Sequence, residues 1–341
     1  MSLKNLNVTK KTHKFLLDKL KDKKTFQIYK KFESNLFINN DFIVAVSGGP
    51  DSLALSFLSK IFAIRNLLNV KYFIVDHKLR KESTLEAKYV QKFLKDYLIN
   101  LDILNWKGAK PKNNIQSIAR DKRYELLINK AKKYKIKNIL LGHHLDDLFE
   151  NFFIRILRGS GLNGLISLDK EVKKNEVNLI RPLINVDKKD LIYISKNIFG
   201  SYIKDPSNKD EKYKRVKVRN FLKQLSSEGL DRDKFFLTIK NLKIANENIK
   251  FYVKKNLDEN VTFIQKKEKV ILKESFFSQS DEVVFRSFAE VIKIVGKKYY
   301  PARGKKINKI IQSINLQSSL KVTLGGCIIK KVNGTIILLK E

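Results

Sequence analysis

Phe42-Ile43-Val44-Ala45-Val46 runs directly into Ser47-Gly48-Gly49-Pro50-Asp51-Ser52, and an apolar-periodic segment, Leu53 to Ile64, runs out of it. The order reads as a short buried strand, a glycine turn and a helix. The glycines let the backbone turn with positive φ where the corner needs it. The helix that follows begins with unsatisfied N–H groups. A corner of this kind binds anionic oxygen by geometry and by dipole. It is not the Walker loop, because no G-x-x-x-x-G-K-[ST] occurs in the chain. A Gly-Gly pair alone would read as an ordinary strand-to-helix turn. The six-residue pattern between these two elements points to a phosphate site.

Working outward, strand and helix alternate. Strand 42–46 precedes helix 52–66, and strand 70–75 precedes helix 82–98. A short strand at 101–105 leads to helix 114–134, strand 137–141 to helix 145–157, and strand 179–183 to helix 187–197. Such alternation predicts an α/β fold, a doubly wound and mainly parallel sheet with helices on both faces. Ligands then sit at the carboxyl ends of the strands. Ser47 to Ser52, Asp76-His77 and Gly142 to Asp147 all fall there. Residues 1–40 are rich in lysine with scattered apolar positions and read as a basic, solvated helical arm. The α/β domain is assigned to 41–225. Residues 226–341 read as a linker helix at 231–257 and a smaller α+β domain, with a strand pair near 261–273. Helices near 280–296 and 304–315 and strands 320–324, 327–332 and 335–340 complete it. Asn333-Gly334 is a two-residue hairpin turn signal. A polar, charged stretch follows Gly159 to Gly164 at 169–178.

The chain has 341 residues, 43% of them hydrophobic, and a formal net charge of +35. That charge favours a polyanionic partner. It is discounted in part, because 58 of the 70 basic residues are lysine, as an A·T-rich coding bias would produce. Cys327 is the sole cysteine, so no disulfide framework or clustered-thiol zinc site forms within one chain. No apolar h-region or membrane-length run is present, and a soluble cytoplasmic protein is expected.

Four further constellations carry charge at element ends. In Gly142-His143-His144-Leu145-Asp146-Asp147, two histidines and two aspartates crowd a helix start. The aspartates serve as caps on the plainest account. A metal cluster is the alternative, and position beside a nucleotide loop favours a functional role. Arg120 and Arg123 are i,i+3 neighbours, either a solvated face or guanidiniums reaching a phosphate. Arg155 and Arg158 precede the glycine-rich Gly159-Ser160-Gly161 turn, where cations also suit a helix end. Asp205-Pro206-Ser207-Asn208 is a turn followed by Arg215 and Arg219, four apart on one helix face.

Taken together these pieces resemble the bacterial tRNA(Ile)-lysidine synthetase family of the PP-loop ATP pyrophosphatases. The matching stretches are Ser-Gly-Gly-Pro-Asp-Ser (47–52), Val-Asp-His-Lys-Leu-Arg (75–80), Ala-Arg-Asp-Lys-Arg-Tyr (119–124) and Gly-His-His-Leu-Asp-Asp (142–147). Further on come Arg-Gly-Ser-Gly-Leu-Asn-Gly-Leu (158–165), Ile-Arg-Pro-Leu (180–183), Asp-Pro-Ser-Asn (205–208) and Arg-x-x-x-Arg (215–219). Tyr300-Pro301-Ala302-Arg303-Gly304-Lys305 and Leu324-Gly325-Gly326-Cys327 are similar to the family's C-terminal substrate-binding region. The chain departs from the pattern at Val216, where the family often has Asn, and at Lys340, where it often has Arg.

The resemblance implies an adenine-nucleotide α-hydrolase-like fold and ATP-dependent ligation of free L-lysine to C2 of the wobble cytidine of a CAU-anticodon tRNA. ATP would first adenylate the C2 carbonyl oxygen, and the lysine amine would then displace AMP. Ser47, Gly48, Gly49, Pro50, Asp51 and Ser52 would bind the phosphates, with Asp76 and His77 at the adenosine side. Asp51 would hold Mg²⁺. Asp51, Arg120, His143, Asp147 and Arg219 would be catalytic, and His144, Asp146 and Asp147 would receive the lysine. Arg155, Arg158, Arg215, Arg303 and Lys305 would contact tRNA. A homodimer is left open. Rival readings are PP-loop tRNA thiolation, an amidotransferase-type synthetase and a non-catalytic basic RNA-binding protein. Thiolation needs a persulfide cysteine or an iron–sulfur cluster, and Cys327 lies far along the chain from the loop. An amidotransferase usually carries an N-terminal cysteine, and position 2 is Ser. A decayed binding protein predicts a damaged loop, and the loop is intact.

Overall fold

The computed structural model describes residues 13–80, 82–108, 111, 113–203, 214–264, 268–298 and 302–341. The chain divides between Leu230 and Asp231 into two compact units. In the first, β1 (Phe42–Val46), β2 (Val70–Asp76), β3 (Leu101–Asn105), β4 (Asn138–Leu140) and β6 (Val177–Ile180) pair in parallel, and β5 (Glu171–Lys174) closes one edge antiparallel. The order is β3-β2-β1-β4-β6-β5. It reverses between β1 and β4, so two carboxyl ends open there onto a common crevice.

β1 is buried along nearly its whole length, as a central parallel strand covered on both faces must be. One face packs against α3 (Pro50–Asn66) and α8 (Lys188–Phe199), through Leu53, Phe57, Ile61, Leu191 and Ile194. The other packs against α5 (Ile115–Lys133), through Leu127, Ile128 and Ala131. α4 (Ser83–Lys95) lies beside β2 and β3 and buries Ala87, Val90 and Leu94.

Two expectations are corrected, and one unassigned stretch gains an element. Residues 14–33 are not a solvated arm. α1 (Lys14–Asp18) and α2 (Lys23–Glu33) insert Leu16, Ile28, Tyr29 and Phe32 into the same core as β1 and α3. The lysines occupy the outer face, which is how a basic helix can still be amphipathic. The charged stretch 169–178, given no element from sequence, forms a hairpin. Asn175 and Glu176 both take positive φ, the signature of a two-residue turn whose twist suits antiparallel strands. Its charges sit on a sheet edge, where they are tolerated and discourage edge pairing. β6 ends at Ile180, short of the expected 183, because Pro182 has no N–H to extend the ladder.

The second unit holds β7 (Val261–Ile264), β8 (Lys269–Leu272), β9 (Leu320–Leu324), β10 (Cys327–Val332) and β11 (Thr335–Lys340) in an antiparallel sheet of order β7-β8-β11-β10-β9. α11 (Asp281–Val295) and α12 (Gly304–Leu316) cover it, burying Phe288, Val291, Ile307 and Ile314. The long helix α10 (Arg232–Asn260) is part of this unit rather than a linker. Its buried Asn256 donates to Phe276 O and Ser287 Oγ, and Asn246 accepts from Arg286 Nη1 at 2.6 Å. The Asn333-Gly334 turn has positive φ at both residues, as its sequence predicts. Among the described residues no helix is long and apolar enough to cross a membrane.

Candidate active site

The glycine loop is preformed. Gly48 takes φ +83°, and a Cβ on it would stand 2.7 Å from Val90 Cγ2, so both conformation and space require glycine. Gly49 caps α3 and Pro50 opens its first turn, where a missing N–H costs nothing. The Ser52 hydroxyl closes the turn. It accepts from Ser47 N at 3.1 Å and from Ser47 Oγ at 3.2 Å, and donates to Gly49 O at 3.0 Å. Two outside bonds hold the loop from the flank. Ser195 Oγ donates to Pro50 O at 2.6 Å, and Ile203 N donates to Gly48 O at 3.1 Å.

Across the crevice, the turn after β4 lies against this loop. A Cβ on Gly142 would be 3.5 Å from the Asp51 backbone. His144, only 2% exposed, precedes α6 (Leu145–Ile156). Its Nε2 is 3.5 Å from Asp51 Oδ2 and 3.5 Å from Asp147 Oδ2, and its Nδ1 is 3.6 Å from Asp146 Oδ2. Burial opposes a charge there, but the Asp147 and Asp51 carboxylates outweigh it and raise the His144 pKa. Burial would likewise raise Asp147, yet His144, His143 and the His144 N–H hold it below the usual carboxylate range. Asp147 Oδ2 accepts that N–H at 3.1 Å. Asp147 is therefore a helix cap and a charged partner at once. Asp146 Oδ2 accepts the backbone N–H of Lys188 at 3.1 Å.

His143 is the opposite case. Burial drives its pKa down to about 3; Asp147 pulls upward, and Arg181, Arg120 and Arg215 push further down. It is a neutral imidazole at physiological pH, and its buried Nδ1 has no partner among the described residues. Adjacent histidines are thus shifted in opposite directions: burial, helped by the three guanidiniums, prevails at His143, and the Asp147 and Asp51 carboxylates prevail at His144.

One turn into α6, Glu150 is 2% exposed and accepts from Arg219 Nε. Burial raises the Glu150 pKa against the pull of Arg219. Arg219 comes from α9 (Lys214–Ser227), which packs on α6 through an edge-on Phe153–Phe221 contact at 5.6 Å. Arg120 lies over the Tyr124 ring at 5.6 Å. Arg181, 5% exposed, donates from Nη1 to Asp169 O at 2.7 Å, and its buried Nε has no partner among the described residues.

The structure brings Ser47 to Ser52, His143, His144, Asp146, Asp147 and Arg219 into one crevice, with Arg120 and Arg215 acting electrostatically on His143. Asp76 is spent on its own loop: its oxygens accept from Lys78 N, Ser83 Oγ and Thr84 Oγ1. His77 stands edge-on to Trp106 with centroids 6.1 Å apart. Arg155 and Arg158 close the C-terminal end of α6, before Gly159 at φ +65°. Arg303 caps α12 and Lys305 lies in its first turn, both in the second unit. Asp205 to Asn208, and Tyr300 with Pro301, lie outside the described residues.

Glu150, Arg181 and Lys188 join the site without a role assigned from sequence. Glu150 carried a signal, an acid among Leu148, Phe149 and Phe152. Asp51 Oδ1 is buried and unpartnered among the described residues, the kind of hard oxygen a divalent cation takes beside phosphates. No cluster of three or more His, Cys, Asp or Glu among those residues is placed to hold a metal alone, so the His-His-x-Asp-Asp stretch is not a self-contained metal centre.

The PP-loop domain family (ATP_bind_3) matches residues 19–226. The curated tRNA(Ile)-lysidine synthase of Wolbachia pipientis wMel is 33% identical over 314 residues, 90% of this chain and 72% of that protein. The chain belongs to the tRNA(Ile)-lysidine synthase family. That of Orientia tsutsugamushi (strain Boryong) is 33% identical over 310 residues, 89% of this chain and 70% of that protein. Among solved structures, the U34-tRNA thiolase NcsA from Methanococcus maripaludis superposes with a TM-score of 0.57 at 20% identity, covering 67% of this chain and 81% of that one. That likeness concerns the fold. The PP-loop domain of this tRNA(Ile)-lysidine synthase family member is an ATP-binding domain, and the crevice between β1 and β4 is where its loop opens.

Proposed function

We propose that this chain joins free L-lysine to C2 of the wobble cytidine in tRNA(Ile) with a CAU anticodon. ATP is cleaved to AMP and pyrophosphate, and the product lysidine lets the tRNA read AUA as isoleucine. The supporting observation is the meeting of a phosphate-binding loop with two histidines shifted in opposite directions and a carboxylate cluster at one crevice. The cytosine O2 attacks the α-phosphorus of ATP, and the bond to the leaving pyrophosphate breaks. The deprotonated lysine amine then adds at C2, the C2–O bond breaks with AMP as leaving group, and the added nitrogen loses a proton.

The residues fit these steps. Backbone N–H groups at the start of α3 cradle the phosphates. Asp51 would supply the protein oxygen for Mg²⁺, which when bound draws charge off the pyrophosphate. Asp146 and Asp147 are counter-ions for the lysine ammonium. His143, neutral and with a free Nδ1, is the group to accept its proton. Part of what depresses His143 is the positive field of Arg120, Arg181 and Arg215, and anionic substrates neutralise that field, restoring basicity. Arg219 is held by Glu150 to face charge that develops on the phosphate or the base. Arg155, Arg158, Arg215, Arg303 and Lys305 contact the tRNA backbone, and the target base leaves its stack to enter the crevice.

Thiolation fits less well. The single thiol, Cys327, is buried in the second unit and donates to Ile292 O at 3.2 Å, and burial pushes it up to about 11. That is a structural cysteine, not a sulfur carrier. The deciding experiment incubates the protein with ATP, lysine and unmodified CAU-anticodon tRNA and weighs the nucleosides. Lysidine at the wobble position supports the proposal; a thiolated base, or the same product without lysine, overturns it.

A further inference from the structure

The Ser-Gly-Gly-Pro-Asp-Ser loop has no lysine of its own, unlike loops that place an ammonium on the outer phosphates of a nucleotide. Carboxylates stand close to it. Asp51, Asp146 and Asp147 all approach His144 within 3.6 Å, and Glu150 stands one turn on. A polyphosphate lying beside these carboxylates meets local repulsion, which a cation close to the loop offsets.

Lys188 is placed to be that cation. Its Nζ is 3.9 Å from Asp51 Oδ2, and the side chain remains about one-third exposed, facing the crevice and not spent in a tight ion pair. Its position is fixed at three points. The backbone N–H of Lys188 donates to Asp146 Oδ2. Three residues on, Leu191 is fully buried in the core shared with α3. Seven residues on, Ser195 donates to Pro50 O inside the glycine loop. Positions i, i+3 and i+7 share a helix face, so one face of α8 is registered against the loop from its core to its first residue.

We infer that Lys188 is a substrate-contacting residue, whose ammonium binds the β and γ phosphates of ATP and the pyrophosphate that leaves. It serves a loop that lacks its own lysine, from a helix in the second half of the domain. The inference rests on the ATP-cleaving reading of the site but not on the identity of the acceptor.

Binding of inorganic pyrophosphate and of AMP to the full chain, each in the presence of Mg²⁺, tests this in the wild type, Lys188→Ala and Lys188→Arg. A charge-assisted contact of this kind is worth about 10- to 100-fold in affinity. Lys188→Ala should weaken pyrophosphate by that factor and leave AMP, which lacks the outer phosphates, within about twofold. Lys188→Arg should recover most of the loss. In turnover, kcat/KM for ATP should fall in parallel. Equal loss of pyrophosphate and AMP would make Lys188 a structural residue and overturn the inference, as would unchanged pyrophosphate affinity. If no lysidine forms yet pyrophosphate binding still depends on Lys188, the acceptor assignment fails and this one stands.

Discussion

His144 Nε2 stands 3.5 Å from Asp51 Oδ2, so one buried imidazole ties the loop after the first strand to the helix after the fourth. The same nitrogen is 3.5 Å from Asp147 Oδ2. Replacing it with Phe keeps the ring volume but leaves two carboxylates facing each other. His144→Phe should lose about 1–3 kcal/mol of stability and most pyrophosphate release, measured by denaturant melting and a coupled phosphate assay. A variant as stable and active as wild type would show that the link is incidental.

Asp51 is expected to act on ATP and not on RNA. Asp51→Ala should abolish adenylation, read as tRNA-dependent pyrophosphate release, while tRNA affinity changes by less than about threefold, well under one kcal/mol. Loss of tRNA binding with adenylation retained would reverse the assignment.

Gly48 carries two constraints that can be separated. Gly48→Ala should destabilise the protein by about 1–3 kcal/mol, from positive φ and from the approach to Val90. Adding Val90→Ala removes the steric part alone. The double variant should therefore recover ATP turnover only partly, and full recovery would show that φ at this position is unimportant.

Glu150 and Arg219 form a largely buried pair. Arg219→Ala strands a carboxylate and should cost about 3–5 kcal/mol. Glu150→Gln on top of it removes the stranded charge, so the double variant should be more stable than Arg219→Ala alone. A double-mutant cycle in urea gives the coupling, and additivity would refute the pairing.

Burial holds the His77 pKa down to about 4, with Arg123 adding to the depression. A depressed folded-state pKa means that the unfolded chain takes up the proton first. The stability from a neutral His77 is fully present above about pH 6.5 and is lost as pH falls toward 4. Wild type should lose stability relative to His77→Phe as pH falls from 7 to 4.5, seen as a melting-temperature gap that changes in that direction. A constant gap across that range would place the proton elsewhere.

What was readable in the chain followed from local periodicity. β1, the Gly48 turn and α3 each announce themselves within a few residues, and so does the Asn333-Gly334 hairpin. β5 did not, because its lysines and glutamate disfavour strands and only the positive-φ pair Asn175-Glu176 marks the turn. The amphipathic character of α2 was masked by four lysines set against its four buried positions. Within the site, the loop and the His143–Asp147 cluster were visible as residue types. Their charges were not. Nothing local says that His143 will face three arginines and His144 three carboxylates, nor that Glu150 will meet Arg219, 69 residues away. Those facts arise only when strand order puts β4 beside β1.

That same pairing sets an order in time. Phe42 pairs with Asn138, and parallel neighbours so far apart close a long loop before any contact rewards it. Val70 can pair with Phe42 much earlier in synthesis. A ribosome-bound chain can therefore hold the glycine loop on a three-stranded half-sheet long before His144, Lys188 or Arg219 has emerged. The half that grips phosphate is made first and the half that directs it is made last, so a nascent chain has no means of spending ATP until its α/β unit is nearly complete.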